Sequence, residues 1–447
     1  MTLRFGTDGV RGVANVDLTP ELTVALGRAA ARALGVARPF VLGRDTRRSG
    51  PMLEAALAAG LAAEGADVEV GGVLPTPAVA YLAQTGDGPG AVISASHNPF
   101  SDNGIKFFAR GGRKLTDEVE ARIEAELDAL LAAPPAPGPA GAGVGTVREF
   151  MDPLAGYRAH LEAALEGRRL DGLRVLIDCG HGAASPVALP VLDSLGAKVE
   201  VRNAEPDGTN INDRCGATHP EGLRADVVAA GAQAGLAFDG DADRLIAVDD
   251  KGGLVDGDHL LAIAALDLRD RGRLRHNAVV ATVMANLGFR RALADHGIRM
   301  VETPVGDRSV LEAMEAEELV LGGEQSGHLI FSELATTGDG LLSGLVLLDV
   351  MARTGRPLSE LASVVTKLPQ VLHSVTVARR EGLESAGSFW EEVRAVVAEL
   401  GDAGRVLVRP SGTEPVVRIM VEAATAEAAE ACTARLETAL TAALGSG

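Results

Sequence analysis

The chain is poor in cysteine, in aromatic residues and in positive charge. Its three cysteines, Cys179, Cys215 and Cys432, are too few and too widely spaced for a disulfide framework or a zinc site. They fit a reducing compartment, and the cytoplasm is the expected location. Aromatics make up only 3% of the residues, so the cores must be built mainly from Ala, Val and Leu. Lys and Arg number 42 against 61 Asp and Glu, a net charge of −19. That balance excludes a general nucleic-acid or membrane-surface binder, and an anionic ligand must be held by local Arg, Lys or metal. No apolar run is long and charge-free enough to span a bilayer, and Met1-Thr2-Leu3-Arg4-Phe5-Gly6 shows no apolar signal core.

What the chain does have is a repeat. With 447 residues, 47% of them apolar, it can form several cores, and its length suits about three or four domains. An apolar strand at 40–43, a polar loop at 44–50, a helix at 51–64 and a strand at 66–70 follow one another. The same order returns at 174–178, 184–195 and 197–201, and again at 279–283, 287–296 and 298–301. Each copy is a βαβ unit, so the expected class is α/β, with three similar domains on mixed, mainly parallel sheets. A helix over 20–35 precedes them, with Thr19 as N-cap and Pro20 in its first turn. Strands at 371–377, 406–408 and 416–421 with helices at 389–400 and 426–444 make a smaller C-terminal α+β domain. A Pro/Gly-rich connector at 134–143 and a break near 251–253 give the segments 1–150, 151–252, 253–368 and 369–447.

Chemistry concentrates in loops at strand ends. Ala91-Val92-Ile93-Ser94-Ala95-Ser96-His97-Asn98-Pro99 is a buried strand delivering hydroxyls onto a tight loop, which alone reads as an ordinary turn. Asn103-Gly104-Ile105-Lys106-Phe107 follows, so Lys106 can return toward Ser96 as a proton-transfer group or phosphate clamp, or else be a solvated strand lysine. In the opening Phe5-Gly6-Thr7-Asp8-Gly9-Val10-Arg11-Gly12, glycines permit close approach while Thr7 and Arg11 can contact an anion. In Asp239-Gly240-Asp241-Ala242-Asp243-Arg244 the carboxylates would span roughly 13 Å if extended, too far for one ion. Gly240 and Ala242 let the loop curl, and converging oxygens without Cys or His favour Mg²⁺ or Ca²⁺. Glu324 and Ser326, in Gly322-Gly323-Glu324-Gln325-Ser326-Gly327-His328, can bond sugar hydroxyls or an amine, and His328 can relay a proton. Arg409, Ser411, Gly412 and Thr413, with Arg418 just beyond, are the donor set of a phosphate cradle without the Lys-Ser/Thr pair of a nucleotide loop.

These loops, in this order along essentially the whole chain, resemble those of the α-D-phosphohexomutases. The opening motif and residues 94–100 are most similar to the members that act on glucosamine phosphates. The resemblance implies four domains around one central cleft, with Ser96 as a phosphoserine beside His97, and Asp239, Asp241 and Asp243 holding Mg²⁺ together with that phosphate. Arg11, Lys106 and Arg244 would then add local positive field at the reacting centre, while the resemblance implies that Glu324 and Ser326 read the sugar and that residues 409–413 hold the phosphate not being transferred. It further implies a sugar-phosphate substrate, glucosamine or glucose 1,6-bisphosphate as activator, and a supply of precursors for UDP-N-acetylglucosamine and the cell wall. A homodimer is compatible with it. In Val305-Gly306-Asp307-Arg308-Ser309, where the family tunes which sugar face is read, Ser309 stands in place of an aromatic. The alternatives are preference for glucose or mannose phosphates, or a non-catalytic regulator that binds a sugar phosphate.

Overall fold

A computed structural model describes residues 5–6, 9–132, 137–378, 382–410 and 416–445. The chain forms two compact units, residues 1–284 with 298–364, and residues 285–297 with 365–447. The first unit carries three sheets. In the largest, the order is Val10–Val13, Asp102–Phe108, Gly90–Ile93, Phe40–Arg44, Val68–Val73 and Val147–Glu149. The second runs Leu254–Val255, Leu245–Asp249, Ala234–Phe238, Arg174–Asp178 and Lys198–Arg202, and the third Arg299–Thr303, Ala278–Thr282, Leu321–Gly323 and Leu329–Phe331.

All three sheets share one four-strand plan. A βαβ pair is joined on its inner side by a third parallel strand, beside which a fourth returns antiparallel. The turn at that return is 94–101 in the first sheet, 239–244 in the second and 324–328 in the third. Three loops far apart in sequence therefore occupy one topological position in three copies of a motif.

Scarcity of aromatics is met by close approach of backbones. Helices Pro20–Leu34 and Gly50–Ala63 cross at Gly27 and Gly60, where a Cβ would lie 2.6 Å from Leu57 O and 2.2 Å from Val24 O respectively. Thr19 accepts a hydrogen bond from Leu22 N and caps the first of these helices, with Pro20 behind it. The segment expected as a helix over 184–195 is helical only at Ala188–Ser194. Pro186 disfavours helical geometry at Ser185, so the chain turns first. The strand expected at 66–70 is Val68–Val73, because Ala66 N still bonds Leu61 O and closes the preceding helix. The last three residues of the opening glycine-rich motif belong to a strand, Val10–Val13, paired with residues 102–105.

The second unit is a three-stranded antiparallel sheet, ordered Gln370–Thr376, Val416–Glu422, Arg405–Pro410, against helices Gly387–Leu400 and Ala426–Leu444. Phe389, Val396, Val417, Ile419, Val421, Leu436 and Leu440 form its core. Glu422, fully buried, ties in helix Leu287–Asp295 by accepting from Leu287 N (2.9 Å) and pairs with Arg405 at 2.8 Å. Among the described residues no helix is long and apolar enough to cross a membrane.

Candidate active site

Ser96 stands at the first of the three turns with φ of 51°. For a residue other than glycine that conformation costs on the order of 1–3 kcal/mol and persists only where neighbours enforce it. Here Ser96 N donates to Ser94 Oγ (2.9 Å), whose hydroxyl in turn donates to Asp45 Oδ2 (2.6 Å). The fully buried Arg47 pairs with Asp45 at 2.8 Å and donates to the carbonyls of Ser96 (2.8 Å), Asn98 (2.9 Å), Asp102 (3.1 Å) and Pro99. Asn212, from the second sheet's loops, donates to Ser96 O at 2.9 Å. Burial pushes the Asp45 carboxyl up, and the Arg47 charge and Ser94 bond only partly offset it. The serine loop is thus clamped from beneath by one guanidinium.

The second turn meets it. Ser96 Oγ donates to Asp239 Oδ2 at 2.6 Å, and one oxygen from each of Asp239, Asp241 and Asp243 lies within 4.8 Å of the others. The loop curls because Ala242 takes φ of 57° and its N–H bonds back to Asp239 O (3.1 Å). Gly240 serves differently: a Cβ there would meet Ser96 O at 2.5 Å. Thr76, at the start of helix Thr76–Thr85, donates from Oγ1 to Asp241 Oδ2 (2.6 Å) and from N to Asp241 O (2.9 Å). Lys106 is buried rather than solvated, 3.1 Å from Asp241 Oδ2 and 3.5 Å from Asp243 Oδ2. Burial and the two neighbouring carboxylates drive Asp239 well above the usual range. Asp243 is also desolvated, yet Lys106 and His328 hold it well below. The buried Oδ1 atoms of Asp241 and Asp243 have no hydrogen-bond partner among the described residues. An all-oxygen set with orphaned acceptors fits a hard divalent cation, and it is the only such cluster among those residues.

Around this pair lie the other cations and imidazoles. Arg11 donates to Ala95 O (3.4 Å), and Arg244 N donates to Asp239 Oδ1 (3.1 Å). His97 Nδ1 sits 3.3 Å from Ser96 Oγ, and burial, then the charges of Arg244 and Arg11, lower its pKa to about 4. The ring is therefore neutral at physiological pH. His328, on the third turn, is buried with Nδ1 3.7 Å from Asp243 and Nε2 3.5 Å from Asp307. Burial opposes its protonation, but Asp243 and Asp307 outweigh that and raise its pKa. Glu324 accepts from Gly306 N (3.1 Å), tying the third turn to the 305–309 loop. Ser326 presents a buried hydroxyl without a hydrogen-bond partner among the described residues.

In the second unit Arg409 and Arg418 lie directly opposite on antiparallel strands. Like charges directly opposite one another are unfavourable without compensating negative charge nearby. Ser411, Gly412 and Thr413, like Thr7 in the opening motif, fall outside the described residues. The residues missed in the sequence are Asp45, Arg47, Thr76 and Asn212. Only Asp45 and Arg47 had a local signal, as charges closing a buried strand.

Four family models match in chain order: phosphoglucomutase/phosphomannomutase alpha/beta/alpha domain I over residues 2–133, domain II over 150–253, domain III over 256–368, and the C-terminal domain over 360–439. A phosphoglucosamine mutase of Acidothermus cellulolyticus is 56% identical over 429 residues, covering 94% of this chain and 92% of that one. Another, from Streptomyces griseus, is 53% identical and covers 99% of both. The chain belongs to the phosphohexomutases, in their phosphoglucosamine mutase branch. A phosphoglucomutase/phosphomannomutase family protein from Burkholderia thailandensis superposes with TM-score 0.80 at 26% identity, over 98% of this chain and 97% of that one. An Aspergillus fumigatus N-acetylphosphoglucosamine mutase, solved with GlcNAc-6P and magnesium, shares the fold at TM-score 0.71 and 19% identity, over 99% and 96% of the two chains. As a phosphohexomutase the chain is an intramolecular phosphotransferase, with three α/β domains and a C-terminal domain built on an antiparallel sheet.

Proposed function

We propose that this phosphohexomutase interconverts glucosamine 6-phosphate and glucosamine 1-phosphate through a phosphorylated Ser96. The observation that carries the reading is the 2.6 Å bond from Ser96 Oγ to Asp239 within a buried carboxylate triad. Relatives more than half identical bear the phosphoglucosamine mutase name, and A. fumigatus structures of the fold were solved with GlcNAc-6P and magnesium and with glucose 1,6-bisphosphate. In this reading 1–150 carries the serine, 151–252 the metal loop, 253–368 the sugar loop and 369–447 the phosphate cradle, and the enzyme works in the cytoplasm.

Phosphoryl transfer needs placement and charge neutralisation more than covalent activation. Asp239, Asp241 and Asp243 would hold one Mg²⁺, which would neutralise charge on the transferring phosphoryl group. O1 of glucosamine 6-phosphate attacks phosphorus as the P–Oγ bond breaks, and the O1 proton passes to a base of the site. The leaving Ser96 Oγ takes up a proton from the site in exchange, giving the 1,6-bisphosphate and a free Ser96 hydroxyl that donates to Asp239. After the bisphosphate turns end for end, Ser96 Oγ attacks the O6 phosphoryl group as the P–O6 bond breaks, its proton passing through the site to O6, and glucosamine 1-phosphate leaves. Lys106, Arg11 and Arg244 add positive field, Glu324 and Ser326 read the sugar, and the Arg409–Arg418 pair with residues 411–413 holds whichever phosphate is not reacting. Glucosamine or glucose 1,6-bisphosphate would restore enzyme that had lost its phosphate.

The test compares initial rates on glucosamine, glucose and mannose 6-phosphates in wild-type enzyme and Ser96→Ala. The expected result is a strong preference for the glucosamine compound and near-complete loss of turnover in the variant. Equal or better rates on glucose or mannose 6-phosphate overturn the substrate assignment, and normal turnover by Ser96→Ala overturns the mechanism.

A further inference from the structure

His328 and the 239–244 loop belong to two different sheets, so something must fix one against the other. One link is Leu245 N to Gly327 O at 3.0 Å. A second is the turn Gly338-Asp339-Gly340, which touches both. Gly338 N donates to His328 Nε2 (3.1 Å), and a Cβ at this position would lie 2.4 Å from the imidazole. Gly340 N donates to Ala242 O (3.0 Å), in the middle of the carboxylate loop. Between them lies Asp339, 2% exposed, whose side-chain hydrogen bonds go elsewhere. Its Oδ1 accepts from Leu342 N (2.9 Å), capping helix Gly340–Thr354, while its Oδ2 accepts from the hydroxyl of Tyr157 (2.8 Å). Its own carbonyl takes the Ser343 hydroxyl at 2.6 Å. Tyr157 is buried on helix Leu154–Ala163, so the turn is pegged to a third element.

We propose that Asp339 is a positioning residue for phosphoryl transfer: anchored by Tyr157 and its own helix, it holds the 338–340 turn that sets His328 against the metal loop. Such an anchor acts through a distance that only the assembled site reads, as outer-shell partners of metal ligands do. A helix cap that served stability alone would lower the folded fraction and leave each folded molecule fully active.

The experiment uses full-length wild type, Asp339→Ala, Asp339→Asn and Tyr157→Phe, with rates referred to the folded fraction measured by circular dichroism. In Asp339→Ala, kcat is expected to fall about 10- to 100-fold with KM for glucosamine 6-phosphate within about threefold, and Mg²⁺ affinity by calorimetry to weaken about tenfold. Asp339→Asn, which keeps an acceptor for Leu342 N, is expected to recover to within about threefold of wild type. Tyr157→Phe is expected to lose several-fold in kcat, and it decides the matter where Asp339→Ala does not fold. Wild-type kcat per folded molecule in Asp339→Ala or Tyr157→Phe, or an equal loss in Asp339→Asn and Asp339→Ala, overturns the inference. The inference rests on the functional reading above. If wild-type enzyme turns over none of the three 6-phosphates, that reading falls alone, and unchanged Mg²⁺ affinity across the variants would overturn the anchor separately.

Discussion

Replacing Arg47 tests how the reactive loop is held. Arg47→Met keeps volume but leaves the buried Asp45 carboxylate without its 2.8 Å partner and takes a donor from the carbonyls of Asp102 and Pro99, the second of which keeps Asp102 N at 3.1 Å. Breaking a buried ion pair on one side costs about 3–5 kcal/mol. The carbonyls of Ser96 and Asn98 keep Asn212 as a donor, so little need be added for them. At 1.36 kcal/mol per decade, amides near Ser96 are expected to exchange hydrogen roughly two to four decades faster in Arg47→Met, read by mass spectrometry. Asp45→Asn/Arg47→Met removes the orphaned charge as well, and Asn still accepts from the Ser94 hydroxyl. The double variant is therefore expected to regain about 2–4 kcal/mol relative to the sum of the single changes. A coupling smaller than about 0.5 kcal/mol would refute the claim that Arg47 works by neutralising Asp45.

Asp241→Asn removes charge from the triad while sparing the Thr76 bond, and is expected to raise the Mg²⁺ concentration for half-maximal rate at least about tenfold in a metal titration. Burial pushes the Asp339 carboxyl from 3.8 to about 6, with Tyr157 bonded to it and the Asp243 charge acting in the same direction as burial. Because the folded value lies above the unfolded one, the folded chain binds more protons between those pH values, and stability falls as pH rises through that window. Neutral Asp339→Asn is therefore expected to exceed wild type in stability by up to about 3 kcal/mol above pH 6 and to match it near pH 4, as followed by denaturant unfolding at both pH values. His97 acts with the opposite sign. Its pKa is lowered from 6.5 to about 4, so its contribution is present above that range and is lost on acidification through it. His97→Gln is expected to flatten that limb of the stability profile.

The α/β class, the three βαβ copies and the change of character in the C-terminal segment were legible because strands and helices there carry their own periodicity and caps. The chemical loops were legible because their residues cluster within a few positions, as in Asp239-Gly240-Asp241. What the local pattern could not show is who holds them. Arg47 reaches Ser96 across 49 residues, Asn212 across 116, Thr76 reaches Asp241 across 165 and Tyr157 reaches Asp339 across 182. Helix Thr76–Thr85 was also hidden, since seven of its residues are buried and no polar face marks its period. The antiparallel return strand of the third sheet is only Leu329–Phe331, too short to show alternation. Pro186 in the middle of an apolar stretch was visible, and its effect on Ser185 should have shortened the helix expected at 184–195.

The central claim is that Ser96 carries the phosphoryl group, and mass spectrometry of the purified chain reads it directly. One phosphoryl group localised to Ser96, lost to sugar when glucosamine 6-phosphate and Mg²⁺ are added and regained with the 1,6-bisphosphate, is the expected result. A chain that turns over substrate while Ser96 is never phosphorylated would contradict it.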